Sequence, residues 1–127
     1  MTGLKRTTDP VLAIVVPCHN EEEMLPVTAE ALKSLLADLR TSGLAADSSY
    51  ICFIDDGSRD RTWERISELA STSSDFRGLK LSRNFGHQGA VLSGMLECNA
   101  DAVVTIDADL QDDERCIVDM MRRYHDG

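Results

Sequence analysis

Short apolar runs alternate along this chain with stretches of helical spacing. Leu12 to Val16 (LAIVV) is uncharged and largely β-branched, the pattern of a strand covered on both faces. From Glu22 to about Thr41, Leu25, Leu32, Leu35, Leu36 and Leu39 recur at helical spacing among Glu30, Lys33 and Arg40. Thr41 to Ser49 has the composition of a loop, and Tyr50 to Ile54 (YICFI) is a second buried strand. Asp60 or Thr62 is placed to cap a short helix with Trp63, Ile66 and Leu69 inward. After a loop at Ser71 to Asp75, Gly78 to Ser82 alternates as a third, more exposed strand. Gly86 to Cys98 carries Val91, Met95 and Cys98 at helical spacing, with Gly89 and Gly94 weakening the helix. Ala102 to Ile106 (AVVTI) is a fourth strand, and Asp113 to Tyr124 a last helix, acidic at its start and basic at Arg122 and Arg123 as the helix dipole favours. Strand–helix–strand alternation with short connections implies an α/β fold, a doubly wound and mostly parallel sheet. Ligands of such sheets bind beyond the carboxyl ends of the strands.

Composition narrows the classes. The 127 residues suit one domain, and 43% apolar with 28% charged residues is ordinary for a soluble globular chain. No apolar run reaches the roughly 18–20 residues of a membrane-spanning helix. The opening MTGLKRTTDP has no apolar core and is not a secretory signal. A net charge of −9 without a basic stripe excludes nucleic acid as the expected partner and favours cations. The four cysteines form no CxxC pair and none stands at zinc-finger spacing from a histidine. Cys52 lies in an apolar run, and Cys98 and Cys116 fall on apolar helix faces, so buried free thiols in a reducing, cytoplasmic setting are expected.

Polar clusters follow each predicted strand. After the first comes Pro17-Cys18-His19-Asn20-Glu21-Glu22-Glu23, which reads either as a helix start capped by Asn20 or as a rigid turn facing a ligand. After the second, Asp55-Asp56-Gly57-Ser58 suits a tight turn with positive φ at Gly57, but this leaves Asp55 unexplained. Two carboxylates leaving a buried strand are costly without partners, and one here could accept N–H groups of a nucleobase. The third strand runs into Arg83-Asn84-Phe85-Gly86-His87, where an arginine, glycines and a helix start suit an anion. Neither a P-loop nor a GxGxxG is present, and a lone His87 is more commonly a surface histidine. After the fourth strand, Asp107-Ala108-Asp109-Leu110-Gln111 puts Asp107, Asp109 and Gln111 on one side of an extended chain. Three oxygen donors of this kind suit Mg²⁺ or Mn²⁺.

With VVPCHNEEE, FIDDGSRDRT, LSRNFGHQGAVLSGM and TIDADLQD in this order, the chain resembles family 2 glycosyltransferases of the GT-A (Rossmann-like) fold. The resemblance runs from about Leu12 to the end and is greatest to the polyprenyl-phosphate branch, the dolichyl-phosphate mannosyltransferases and bactoprenol glucosyltransferases. It implies a nucleotide-sugar donor, UDP- or GDP-linked, and a lipid phosphate acceptor at the cytoplasmic face of a membrane. Pro17, His19 and Glu21 match positions lining the nucleotide, Ile54 and Asp56 positions at the base, and Asp55 supports that loop. Asp107 and Asp109 match the DxD pair that holds the metal against the diphosphate, with the Ala108 backbone close by and Gln111 a further ligand. Arg83, Asn84 and His87 fall in a family signature near the donor or acceptor pocket.

The family's catalytic half, with its acceptor loop, general base and membrane helices, follows about where this sequence stops. The expectation is therefore an N-terminal extension over residues 1–10 and a truncated nucleotide-binding half over 11–127, inactive in transfer by itself. Two other readings compete: a non-catalytic nucleotide-sugar-binding module, and a response-regulator receiver domain. A receiver carries its acidic pair after the first strand, not the second, and has a lysine-bearing fifth strand. A nucleotidyltransferase would need a Gly-rich basic loop where PCHNEEE stands.

Overall fold

The computed structural model describes residues 9–108 and 116–126. Its elements run β1 (Leu12–Cys18), α1 (Leu25–Thr41), β2 (Tyr50–Asp55), α2 (Thr62–Thr72), β3 (Phe76–Lys80), α3 (Gly86–Glu97), β4 (Ala102–Thr105) and α4 (Cys116–Asp126). The strands form one parallel sheet in the order β3-β2-β1-β4. Every residue of β1 and β2 is buried, as their unbroken apolar runs require, whereas the edge strand β3 is largely exposed. In this order β4 lies beside β1, the Rossmann arrangement; a receiver sheet would put β3 there. The strand order therefore removes the receiver reading.

Two apolar layers cover the sheet. On one side Leu12, Ile14, Val16 and Phe53 pack with the leucines of α1, with Ile66 of α2 and with Ile117 and Met121 of α4. On the other, Ala13, Val15, Tyr50, Cys52 and Ile54 meet α3 through Ala90. Truncating a fully buried leucine such as Leu32 or Leu36 to alanine costs about 2–5 kcal/mol in cores of this kind. α1 stops in a Schellman turn, in which Gly43 (φ 74°) donates to the Arg40 carbonyl at 3.2 Å and Leu44 to the Leu39 carbonyl at 2.9 Å. Leu39 and Leu44 are buried in the same cluster, which is the apolar contact that accompanies this cap.

Several boundaries differ from the sequence reading. α1 begins at Leu25, not Glu22, because Asn20 has φ 55° and the glutamates stay in the turn before the helix. Asn20 is therefore no helix cap, and no acidic residue sits in the first turn of α1. β3 begins at Phe76, whose ring stacks on Phe53 at 5.9 Å, two residues earlier than the alternation suggests. The inward face of α3 is Ala90 and Gly94; Met95 is 50% exposed. The cause is close approach: a β-carbon on Gly94 would lie 2.6 Å from Val15 Cγ1 and 3.2 Å from Ile54. Cys18 and Cys52 are buried free thiols and Cys98 is half-buried, but Cys116 is exposed. The predicted start of the last helix at Asp113 lies outside the described residues, as do Asp109 and Gln111.

Candidate functional site

The segments that follow the strands are bound to one another. Asp56 N–H donates to the Cys18 carbonyl at 2.8 Å, prolonging the β1–β2 ladder into the loops. Beyond it, Asn20 N–H donates to Ser58 Oγ (2.9 Å), Arg59 N–H to Asn20 Oδ1 (2.8 Å), and Glu21 N–H to Thr62 Oγ1 (2.8 Å). The left-handed backbone of Asn20 turns its amide toward the second loop, so the residue serves as a bridge between loops. Asp60 Oδ1 accepts the Thr62 N–H (3.0 Å) and hydroxyl (2.5 Å) at the start of α2, and Glu22 N–H reaches Asp60 Oδ2 at 3.3 Å. Burial opposes ionisation of Asp60, but the hydrogen bonds from Thr62 and Glu22 outweigh it and hold the carboxyl below its ordinary range.

The third loop is fixed to the second through Asp56, whose buried carboxylate accepts the Phe85 N–H at 2.7 Å. His19 joins all three loops: Nδ1 is 2.8 Å from the Asp56 carbonyl, and Nε2 is 3.3 Å from the amide nitrogens of both Asn20 and Asn84. The fourth loop is tied from beneath, where the buried Thr28 hydroxyl on α1 donates to the Ala108 carbonyl.

These loops enclose an open cavity of about 280 Å³ at the carboxyl ends of the strands. β1 and its loop contribute Pro17, Cys18, His19 and Glu21; the β2 loop gives Asp56; the β3 loop and α3 give Asn84, Gly86 and His87; and the β4 loop gives Asp107 and Ala108. The cavity thus sits where the winding of the sheet reverses, between β1 and β4.

Its electrostatics are acidic. Glu21, Asp56 and Asp107 line it, and among the described residues no lysine or arginine does. Below it, Asp55 is 1% exposed; Oδ1 accepts the Ser58 N–H at 3.2 Å, while Oδ2 meets no hydrogen-bond partner among the described residues. Burial first, then the carboxylates of Glu21 and Asp55, push the Cys18 thiol far above its ordinary value, so Cys18 stays neutral on the cavity wall. Asp107 is half-exposed at the rim with His87 Nε2 3.9 Å from its Oδ1. An anionic ligand entering such a cavity needs a cation with it, and Asp107 presents the hard oxygen donor that Mg²⁺ or Mn²⁺ prefers. Among the described residues no three metal-binding side chains converge. The remaining predicted donors, Asp109 and Gln111, lie outside them.

Of the residues singled out in the sequence, Pro17, His19, Glu21, Asp56, Asn84, His87, Asp107 and Ala108 share this cavity. Ile54 is wholly buried in the sheet and Arg83 stacks its guanidinium over the exposed Phe85 ring at 4.7 Å; neither lines the cavity. Gly86 entered the sequence reasoning among the glycines of the third-strand cluster suited to an anion, but that reasoning passed over Cys18 as a wall residue, and Asn20, Ser58 and Thr62 as the bonds between loops. Strand alternation gives no hint of the latter, because each acts on a backbone group of a different loop.

Comparison with known proteins agrees with this arrangement. The family model described as glycosyl transferase family 2 matches residues 13–127. A protein described as the uncharacterized glycosyltransferase YkoT of Bacillus subtilis (strain 168) is 46% identical over 124 residues, 96% of this chain and 37% of that protein. The undecaprenyl-phosphate 4-deoxy-4-formamido-L-arabinose transferase of Pseudomonas fluorescens (strain Pf0-1) is 37% identical over 79% of this chain and 28% of its own length. The bactoprenol glucosyl transferase of Shigella phage SfV is 34% identical over 91% of the chain and 36% of its length. The chain thus spans about a third of the length of these relatives and corresponds to their N-terminal part. Among solved structures, the mannosyltransferase PcManGT of Pyrobaculum calidifontis, in complex with GDP-Man and Mn²⁺, superposes with a TM-score of 0.60 at 22% identity, covering 83% of this chain and 29% of that one. TarS 1–349 of S. aureus gives 0.64 at 18% identity, covering 88% and 31%. The fold is that of GT-A glycosyltransferases. With the family model matching nearly all of the sequence, the chain belongs to glycosyl transferase family 2.

Proposed function

We propose that this chain forms the donor-binding part of an enzyme that transfers a sugar from a UDP- or GDP-linked donor to a polyprenyl phosphate. One observation carries the reading: an acidic cavity at the carboxyl ends of the strands is walled by residues from all four strand-end loops. In this reading Pro17, His19, Glu21 and Asp56 surround the nucleoside, with Ile54 behind the base and Asp55 stiffening the loop. Asp107, with Asp109 and Gln111, would hold a Mg²⁺ or Mn²⁺ ion, with the Ala108 backbone close by. When bound, the ion supplies positive charge to the leaving diphosphate. Arg83, Asn84 and His87 belong to the side where sugar or acceptor lies.

The chain's own contribution is orientation. Loops bound to one another at several points hold the nucleoside and the diphosphate in fixed relation, so the bond to the departing oxygen points in one direction. The acidic wall excludes a free diphosphate and admits one whose charge is neutralised. The names of the undecaprenyl-phosphate and bactoprenol relatives support a lipid phosphate as acceptor, and the GDP-Man and Mn²⁺ held by PcManGT, of like fold, are consistent with the donor and the ion. A nucleotide sugar from the cytosol and a lipid in a bilayer meet at the cytoplasmic face of a membrane. Because relatives are about three times as long, we assign residues 11–127 the leaving-group side of the reaction and residues 1–10 a separate extension, and expect no lipid-linked product from the 127 residues alone.

Calorimetric titration with UDP and GDP, first with Mn²⁺ and then with chelator, tests this. Binding that needs the metal, and that weakens in Asp109→Asn, is the expected result. Equal affinity in both conditions overturns the metal role. Absence of heat with either nucleotide in Mn²⁺ overturns the donor reading.

A further inference from the structure

We infer that His19 is held as the neutral tautomer protonated at Nδ1, with both ring nitrogens consumed by the protein, and that Asn84 is a positioning residue acting through it. The importance of this knot for nucleotide binding rests on the function proposed above; the tautomer does not. The argument begins with the two amides. Asn20 Oδ1 accepts the Arg59 N–H and Asn84 Oδ1 accepts the Gly86 N–H, each at 2.8 Å. A backbone N–H bonds only the oxygen of an amide, so both side chains are fixed with their NH₂ groups toward His19 Nε2, 3.3 Å from each. An NH₂ group only donates, so Nε2 must be a bare acceptor. The other nitrogen lies 2.8 Å from the Asp56 carbonyl, which only accepts, so Nδ1 carries the proton. All five contacts agree on one tautomer.

The consequence is mechanical. His19 follows β1, Asp56 follows β2 and Asn84 follows β3, so one imidazole ties three cavity walls together. With both nitrogens occupied, His19 offers no base and no proton to a ligand. It contributes ring carbons and a fixed spacing. Asn84 transmits that spacing to the start of α3 through Gly86.

The test is a long-range ¹H–¹⁵N spectrum of the ligand-free chain at neutral pH, with the His19 signals identified by their loss in His19→Phe. The expected pattern is a pyrrole-type Nδ1 and a pyridine-type Nε2, the reverse of the tautomer favoured by free imidazole side chains. An Nε2–H tautomer in the wild-type chain overturns the inference. A binding cycle then tests positioning. Asn84→Ala lowers UDP or GDP affinity about five- to tenfold, the effect of one lost hydrogen bond, and causes no further loss in the His19→Phe background. An undiminished effect there shows that Asn84 acts on its own and removes its positioning role. No nucleotide binding by the wild-type chain, with the Nδ1–H tautomer present, would count against the proposed function and not against the tautomer.

Discussion

At Gly57 the second and third loops approach backbone to backbone, and replacing it with alanine separates strain from contact. Its φ is 68°, and an ideal β-carbon there would stand 2.5 Å from Asn84 N, 2.7 Å from Arg83 C and 3.0 Å from Asn84 Cα. All three are backbone atoms, so no rotamer change relieves them. Restoring ordinary contact requires the third loop to retreat by roughly 0.9 Å, enough to stretch the 2.7 Å bond from Phe85 N–H to Asp56 beyond useful length. Left-handed backbone costs alanine about 1–2 kcal/mol, and overpacking adds about 1–3 kcal/mol. Reduced freedom of the unfolded chain returns about 0.4–1 kcal/mol, which leaves a net loss of about 1–5 kcal/mol, centred near 3. Gly43 provides the control: φ is 74°, but its nearest neighbour is Asp9 Oδ1 at 4.0 Å. Gly43→Ala should therefore cost about 1 kcal/mol or less, strain alone. Urea unfolding followed by circular dichroism measures both. A Gly57→Ala loss within about 0.5 kcal/mol of the Gly43→Ala loss would refute the claim that the loops are packed backbone to backbone.

Two further predictions follow from the site and the thiols. Asp60 has its carboxyl held below the ordinary range when folded, so its stabilisation is present above the unfolded value, near pH 4, and is lost as pH falls through the folded value. Asp60→Asn should flatten the acid limb of the stability curve and lower stability at neutral pH; an unchanged acid limb in a pH series of urea melts contradicts this. Cys116 is exposed while Cys18 and Cys52 are buried, with burial and the neighbouring Cys98 pushing the Cys52 thiol up to about 12. Maleimide labelling read by peptide mass should therefore modify Cys116 first, and prior labelling of Cys52 in the folded chain would contradict the assigned core.

The central strands were legible because nothing competes with their pattern: LAIVV and YICFI are too apolar and too β-branched to be half-covered, and both are wholly buried. The polar clusters were legible for the same reason, since carboxylates that leave a buried strand need partners. Asn20 was not legible, because its left-handed backbone is held by Ser58 and Arg59 of another loop, while its sequence neighbours offer a plausible helix cap. The face of α3 was misread for a related reason. Periodicity weighs side-chain size, whereas the contact with Val15 and Ile54 is made by Gly94, which has no side chain. Phe76 was hidden in a polar run and enters β3 through its stack on Phe53, a partner distant in sequence. The exposed Cys116 shows that an apolar residue type at helix spacing does not fix which side faces the sheet.

The most direct test of the account is amide chemical-shift mapping of the chain titrated with UDP and GDP in the presence of Mg²⁺. The account predicts shifts concentrated in residues 17–21, 55–58, 84–87 and 107–108, at and beyond the strand ends, and in Asp109 and Gln111. Shifts confined to the groove between α1 and α2, around Leu25, Arg65 and Leu69, or none with either nucleotide, would contradict it.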